Sequence, residues 1–385
     1  MTKTILFVDA EMSEWESRRQ QFEQQLAIGT CKWLYASDGQ SALQVIEANP
    51  AVQVVLTEIN LPLMDGFDLL GELQEQAQNY KVIILCADRN IDLIRRAMNL
   101  GAYDFLTKPI DFDDLRATIS RAYKDIEALQ AADLARQQLQ SIQEELSVAN
   151  KLQQSILPSN FDIFQSSSGF QLAAEMIPAK TVGGDFYDFF QIDENRWGFV
   201  IGDVSGKGMP AALFMAISRT LLRAIGRNGV SAEECLEQVN ILLSKDNPMM
   251  MFVTVFYGIV EAQTGLLEYC NAGHNPPRLK RADGQVYPVE GVSNPALGIM
   301  EQLTFKSGMI RISKGDSLVL YTDGITEAIN KTQEFYTEDR LDDLLDERDS
   351  DSADALLKEI IQEVRQFAEG TAQSDDITCM VIQRK

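Results

Sequence analysis

Residues 54–66 read VVLTEINLPLMDG. An apolar run, an acid (Glu58) at its end and a loop closing on Gly66 form the pattern of a buried parallel strand feeding a helix. Outward from this stretch, TILFV, CKWLYA, VQVVLT, KVIILCA and YDFLT read as strands. Between them, SEWESRRQQFEQQL, GQSALQVIEAN, DLLGELQEQA and IDLIRRAMNLGA carry three- and four-residue apolar spacing. Strands alternating with helices over residues 1–124 predict an α/β domain, a five-stranded parallel doubly wound sheet. In such sheets the functional crevice lies at the carboxyl ends of the strands. That rule singles out Asp9, Glu58, Cys86 and Lys108.

The motifs ILFVDAE, VVLTEINLPLMDGF, VIILCAD and FLTKPI together resemble the CheY-like receiver of two-component systems, over nearly the whole of this domain. The resemblance implies paired acids after strand 1, an acceptor Asp, a Ser/Thr hydroxyl and a Lys before Pro. Here Asp9 and Lys108 are retained. Ala10 replaces the second acid, Glu58 the acceptor and Cys86 the hydroxyl. Losing a carboxylate weakens Mg2+ binding, and a thiol is a poor donor. Glu also carries its carboxylate a methylene too far for in-line transfer. The expectation is a degenerate site that does not run the usual phosphorylation cycle. Either Glu58 reaches Lys108 and imitates the phosphorylated state, or it is tolerated in a domain kept for binding a regulatory protein.

Residues 111–157 predict one long helix, opened by Asp111 as N-cap and stopped by Pro158. Leu115, Ile119, Ala122, Ile126 and Leu129 form one apolar series. Leu139, Ile142, Leu146, Ala149 and Ile156 form another, with Gln153 in one seam position. The two lose phase near residue 130. The pattern predicts a coiled-coil homodimer or, alternatively, a helix packed along its own domain.

The chain has 385 residues, 45% of them hydrophobic, and a net charge of −23. That length suggests two or three domains at about 150 residues each. The charge disfavours nucleic acid and anionic membrane as partners. The start, MTKTILFVDA, lacks the pattern of a signal peptide, and no apolar run in the sequence suggests a spanning helix of about 18 residues. Five scattered cysteines without C-x-x-C suit a reducing cytoplasm. His274 is the one histidine, so hydrolytic chemistry must lean on carboxylates.

Residues 158–385 mix long strand-like runs with separate helices, an α+β pattern. KTVGGDFYD places Asp185 after two glycines. FVIGDVSGKG, LVLYTDG and SDDITCMVI place Asp203, Asp323, and Asp375 with Asp376, at the ends of strands. A lone Asp-Gly is ordinarily a turn. Several acids at rigid strand ends can instead be held to the tolerance of a metal pair, and all-oxygen ligands suit Mg2+ or Mn2+.

These motifs, with LQQSILP, GKGMPAAL, AGHNPP and NPALGI, resemble the PPM (type 2C) serine/threonine phosphatases, in their SpoIIE/RsbU-like branch, from about residue 150 onward. The resemblance implies an αββα sandwich with Asp185, Asp203, Asp323 and Asp375 as catalytic metal ligands. It implies that Asp203 bridges two Mn2+ or Mg2+ ions, helped by the Val204 carbonyl. Asp323 and Asp375 would complete the second ion's shell, Asp185 would act on the first, and Asp376 would support them. Lys180 stands where the branch often has Arg, and either holds substrate phosphate or is a solvated surface lysine. His274 either protonates the leaving oxygen or is structural. The implied reaction is hydrolysis of a phosphorylated protein, a STAS-type anti-sigma-factor antagonist, by an activated water. The alternative is a non-enzymatic adaptor that uses both domains only to bind partners.

Overall fold

The computed structural model describes residues 3–11, 31–76, 79–87, 91–245, 247–348 and 351–385. The chain divides into two compact units, Met1–Ser141 and Ile142–Lys385. The sequence reading sets boundaries at 124 and 158; the division falls between them, inside a helix.

In the first unit the order is β1 (Lys3–Val8), β2 (Cys31–Ala36), α1 (Gly39–Ala48), β3 (Val52–Glu58), α2 (Gly66–Glu75), β4 (Lys81–Cys86), α3 (Ile91–Asn99) and β5 (Asp104–Thr107). The helical pattern SEWESRRQQFEQQL lies outside the described residues. The sheet order is β2-β1-β3-β4-β5, all parallel. Strand order reverses beside β1, so the crevice opens between β1 and β3. The opening stretch acts locally as well. Asp65 caps α2, accepting from the Phe67 and Asp68 N–H groups at 2.8 Å each. A Cβ at Gly66 would overlap the Glu58 carbonyl oxygen, so only glycine lets this loop close.

The helix α4 runs from Phe112 to Ile156, 45 residues. Asp111 caps it, accepting from the Asp113 and Asp114 N–H groups at 2.8 and 3.1 Å. Leu115, Ile119, Ala122 and Ile126 are buried against Ile5, Phe7, Val54 and Leu56 of the sheet. That first apolar series therefore packs along its own domain and is no part of a dimer seam. Residues 127–145 are exposed on every side of the helix. The phase slip near residue 130 marks the end of the sheet's cover.

The second unit continues with α5 (Asp162–Ser168), β6 (Phe170–Ile177), β7 (Phe186–Gln191), β8 (Arg196–Val204), α6 (Met209–Gly226) and α7 (Ala232–Ser244). Then come β9 (Val253–Glu261), β10 (Leu266–Ala272), β11 (Arg278–Lys280), β12 (Val286–Pro288), β13 (Gly308–Arg311) and β14 (Ser317–Tyr321). The chain ends with α8 (Asp323–Thr326), α9 (Thr337–Glu347), α10 (Ala353–Phe367) and β15 (Ile377–Arg384). Two antiparallel sheets, β13-β10-β9-β8-β7 and β12-β11-β14-β15-β6, face each other. One core fills the space between them and extends beneath α6 and α7; a second lies beneath α9 and α10. This is an αββα sandwich.

Helix α6 corrects one expectation. At 18 residues and mean hydropathy 1.2, it meets the length and composition of a membrane span. It is nonetheless a core helix on one side. Met215 and Leu222 are fully buried, and its arginines reach inward to the buried Asp188. The Arg223 Nε donates to Asp188 Oδ2 at 2.7 Å, and the Arg219 Nε lies 3.2 Å from the same oxygen.

Candidate active site

The four acidic segments meet at one end of the sandwich. Asp185 immediately precedes β7, Asp203 is the penultimate residue of β8, Asp323 follows β14 by two residues, and Asp375 and Asp376 lead into β15. Pairing of β14 with β15 sets Tyr321 opposite Cys379, so Thr322 and Thr378 lie close. Their hydroxyls both donate to Asp185 Oδ2, at 2.7 and 2.6 Å. Neither threonine was singled out in the sequence. Thr322 directly precedes Asp323 and Thr378 follows Asp376 by two residues, but only the strand pairing brings them together.

Asp376 grips the glycine loop. Its Oδ1 accepts from the Ala179 N–H at 2.8 Å and its Oδ2 from the Gly184 N–H at 2.7 Å. Both oxygens thus hold backbone, which makes Asp376 a support of the Asp185 loop. The same loop is held from the other side by α4. Gln153 donates from Nε2 to the Gly183 carbonyl at 2.6 Å and accepts the Gly183 N–H at 3.1 Å. Gln153 is only 4% exposed, so its place is this clamp and not a seam between helices. No glycine substitute fits. A Cβ at Gly183 would overlap the Asp376 carboxylate, and one at Gly184 would lie 2.9 Å from the Val204 carbonyl oxygen.

The electrostatics are those of crowded carboxylates. Burial first, and then repulsion from Asp323, pushes the Asp203 carboxyl up to about 7. Asp185, 1% exposed, is raised well above its ordinary value by burial and by Asp203. Asp323 is raised by burial and by Asp375. Lys207, from GKGMP, sits 2.8 Å from Asp375 Oδ2 and donates to the Ser374 carbonyl at 2.7 Å. That hydrogen bond to Asp375 raises the Lys207 ammonium.

These residues fit the divalent pair that the resemblance implies. The donors are all oxygens, their mutual repulsion is what a cation relieves, and a lysine ammonium already stands against one of them. Among the described residues no three His, Cys, Asp or Glu side chains are grouped to enclose an ion by themselves. Hard cations such as Mg2+ ordinarily retain several waters under those conditions. Lys180 is exposed at the start of the same loop.

His274 is enclosed, 5% exposed. Its backbone N–H donates to Asn271 Oδ1 at 2.8 Å, and its ring Nδ1 lies 3.0 Å from the Thr254 hydroxyl. Burial lowers its pKa to about 4, partly offset by the Tyr321 carbonyl. Burial thus favours its neutral form, beside Thr254 of β9.

In the first unit, Asp9, Glu58, Cys86 and Lys108 do gather at the strand ends. The Lys108 ammonium lies 3.1 Å from Asp9 Oδ2 and is in direct contact with Glu58 Oε1. Its backbone N–H donates to the Cys86 carbonyl at 2.9 Å. The single retained cation is thus shared by the two carboxylates that remain.

Comparison with known proteins bears on both units. A family model described as stage II sporulation protein E (SpoIIE) matches residues 193–385, and one for the response regulator receiver domain matches residues 5–120. The chain is 32% identical over 267 residues to Protein IcfG of Synechocystis sp., an alignment covering 62% of this chain and 41% of that protein. It is 28% identical over 247 residues to phosphoserine phosphatase RsbU of Bacillus subtilis, covering 64% of this chain and 72% of that one. The chain therefore spans less than half the length of the first of these relatives. The SiaA-PP2C domain of Pseudomonas aeruginosa superposes with a TM-score of 0.56 at 19% identity, covering 64% of this chain and 98% of that domain, which supports the fold. The strand-end acids, the sandwich that carries them and the match over half the chain agree: this chain belongs to the SpoIIE family, its PP2C-type phosphatase domain preceded by a response regulator receiver domain.

Proposed function

We propose that this protein is a Mn2+- or Mg2+-dependent phosphoserine/phosphothreonine protein phosphatase, and that its substrate is a phosphorylated STAS-type anti-sigma-factor antagonist. The observation that carries the reading is the convergence of buried Asp185 and half-buried Asp203, Asp323 and Asp375 from separate strand ends onto one mutually repelling cluster. The name of the relative RsbU, a phosphoserine phosphatase, supports it.

Two divalent ions, when bound, would supply charge neutralisation and a nucleophile of lowered pKa. Asp203, the Val204 carbonyl, Asp323 and Asp375 would hold them. Asp185 is oriented by the Thr322 and Thr378 hydroxyls at its Oδ2 and would act on the first ion. Lys180, exposed at the lip, offers a point charge to a phosphate oxygen. His274, enclosed and with its neutral form favoured by burial, serves in this reading as a structural side chain and not as the leaving-group acid.

The receiver domain is regulatory in this reading, with its phosphorylation chemistry lost and Lys108 held by Glu58 and Asp9. It would bind a regulatory protein. Its state would reach the metal loop through α4, whose last turns grip Gly183 by Gln153. Leu139 and Ile142 are exposed on α4, which supports a homodimer paired there; the proposed location is the cytoplasm.

The test is turnover of an aryl phosphate by the full chain with and without Mn2+, with Asp203→Asn as control. Mn2+-dependent hydrolysis lost in the variant is the expected result. No turnover under any metal, with partner binding unaltered by EDTA, would leave the adaptor reading in its place.

A further inference from the structure

Beside the metal crevice lies an apolar groove of about 280 Å3 that the chemistry above does not use. Leu213 and Ile217 of α6, Leu242 of α7 and Met249 form its exposed sides, and Leu243 and Met251 lie deeper. Leu213 is 60% exposed and Met249 66%. So much apolar surface side by side on a soluble face marks an interaction site more often than chance exposure.

The groove is built and not a loose surface. Asn247 donates to the Met251 carbonyl at 2.6 Å and accepts the Met251 N–H at 3.0 Å, which staples the methionine-bearing turn. It is also continuous with the crevice. Phe252, next to Met251, donates its N–H to the Ser205 hydroxyl at 3.0 Å and accepts the Ser205 N–H at 2.9 Å. Ser205 directly follows Asp203 and Val204. At the other side, Pro210 lines the groove three residues after Lys207, whose ammonium touches Asp375. From Pro210 to Ile217 the helix advances about 10 Å. A phosphoserine in the crevice therefore has its own flanking chain within reach of the groove.

Shape and charge select the occupant. The volume falls below the roughly 300–1,000 Å3 of small-molecule pockets, while an open apolar trough between helices suits the stripe of an amphipathic helix. Methionine at its edge adapts to varied side chains. Lys245, exposed, also lines it, a positive point on a chain of net charge −23. We propose that this groove docks an amphipathic helix with an acidic flank, belonging to the phosphoprotein substrate and adjacent to its phosphoserine. The proposal rests on the phosphatase reading, which it makes more specific.

Two synthetic peptides test it on the full-length protein. Both carry the same phosphoserine followed by an acidic-flanked helix. One has Leu at i, i+3, i+4 and i+7; in the other those leucines are Gln. The wild type should hydrolyse the leucine peptide with kcat/KM about tenfold higher or more. Ile217→Glu, an exposed position outside the metal cluster, should abolish that preference and leave aryl phosphate turnover unchanged. Fluorescence anisotropy of the labelled peptides reads docking without turnover, so a failed phosphatase reading and a failed groove are told apart. Equal handling of both peptides by the wild type, or a preference that survives Ile217→Glu, overturns the proposal. So does a variant whose mass by light scattering falls while the preference stays, which would give the groove to a second copy of the chain.

Discussion

Asp185 shows how much of this site is made by uncharged neighbours. Two hydroxyls share its Oδ2, so replacing either leaves a buried carboxylate short of a donor and free to turn. Thr378→Val should lower Mn2+ affinity by about tenfold or more, as outer partners of metal ligands generally do, read by calorimetric titration. His274 gives a pH prediction. Its folded pKa of about 4 lies below its ordinary value of 6.5. Between those values the unfolded chain binds the extra proton, so stability falls as pH drops through that window and is level above it. The loss reaches roughly 3 kcal/mol. Urea midpoints at pH 4.5, 5.5 and 7 should show this, and His274→Asn should remove this part of the slope. In the receiver domain, Lys108 is already engaged by Glu58 and Asp9. Treatment with a small phosphodonor and Mg2+ should leave the intact mass unchanged; an added phosphoryl group on Glu58 would refute the degenerate site.

At the scale of elements, α4 is one helix with distinct surroundings along its length. Leu115 sits in the receiver core, and Leu115→Asp should destabilise that unit by about 3 kcal/mol or more. Gln153→Ala removes both bonds to Gly183 and should weaken Mn2+-dependent turnover without altering the receiver's melting. Leu146→Asp tests the pairing surface between them: unchanged mass and unchanged turnover would count against a dimer there. The strands and their terminal acids were legible because each acid closes an apolar run and several such runs recur along the chain. Glu58, Asp203 and Asp323 are of this kind. Gln153 was not legible. In a helical repeat it fills a seam position, and its real partner is a glycine thirty residues on, visible only once β6 and β7 have folded back. The first apolar series of α4 leaves open, for a related reason, a dimer seam or packing on its own domain, since spacing reports which face is apolar and not what covers it; the second holds. Thr322 and Thr378 were hidden by the strand register that unites them.

Across the whole chain, cores fall into separate groups. Those containing Leu6 or Ile5 belong to the receiver sheet, and those containing Phe256 or Tyr321 to the sandwich. Metal should therefore act directly on the sandwich. At about one hundred times its dissociation constant, Mn2+ should stabilise that unit by about 2.7 kcal/mol, and calorimetry should show its transition rising. The bare middle of α4, residues 127–145, carries a different implication, for how such genes can change length. A helix turns about 100° and rises about 1.5 Å per residue. Inserting seven residues there restores the facing of everything downstream to within about 20°. Inserting one or two does not. Lengths of this stretch in working descendants should therefore differ by amounts that bring the helix back near phase, such as about seven, eleven or eighteen residues, as teeth on a rack.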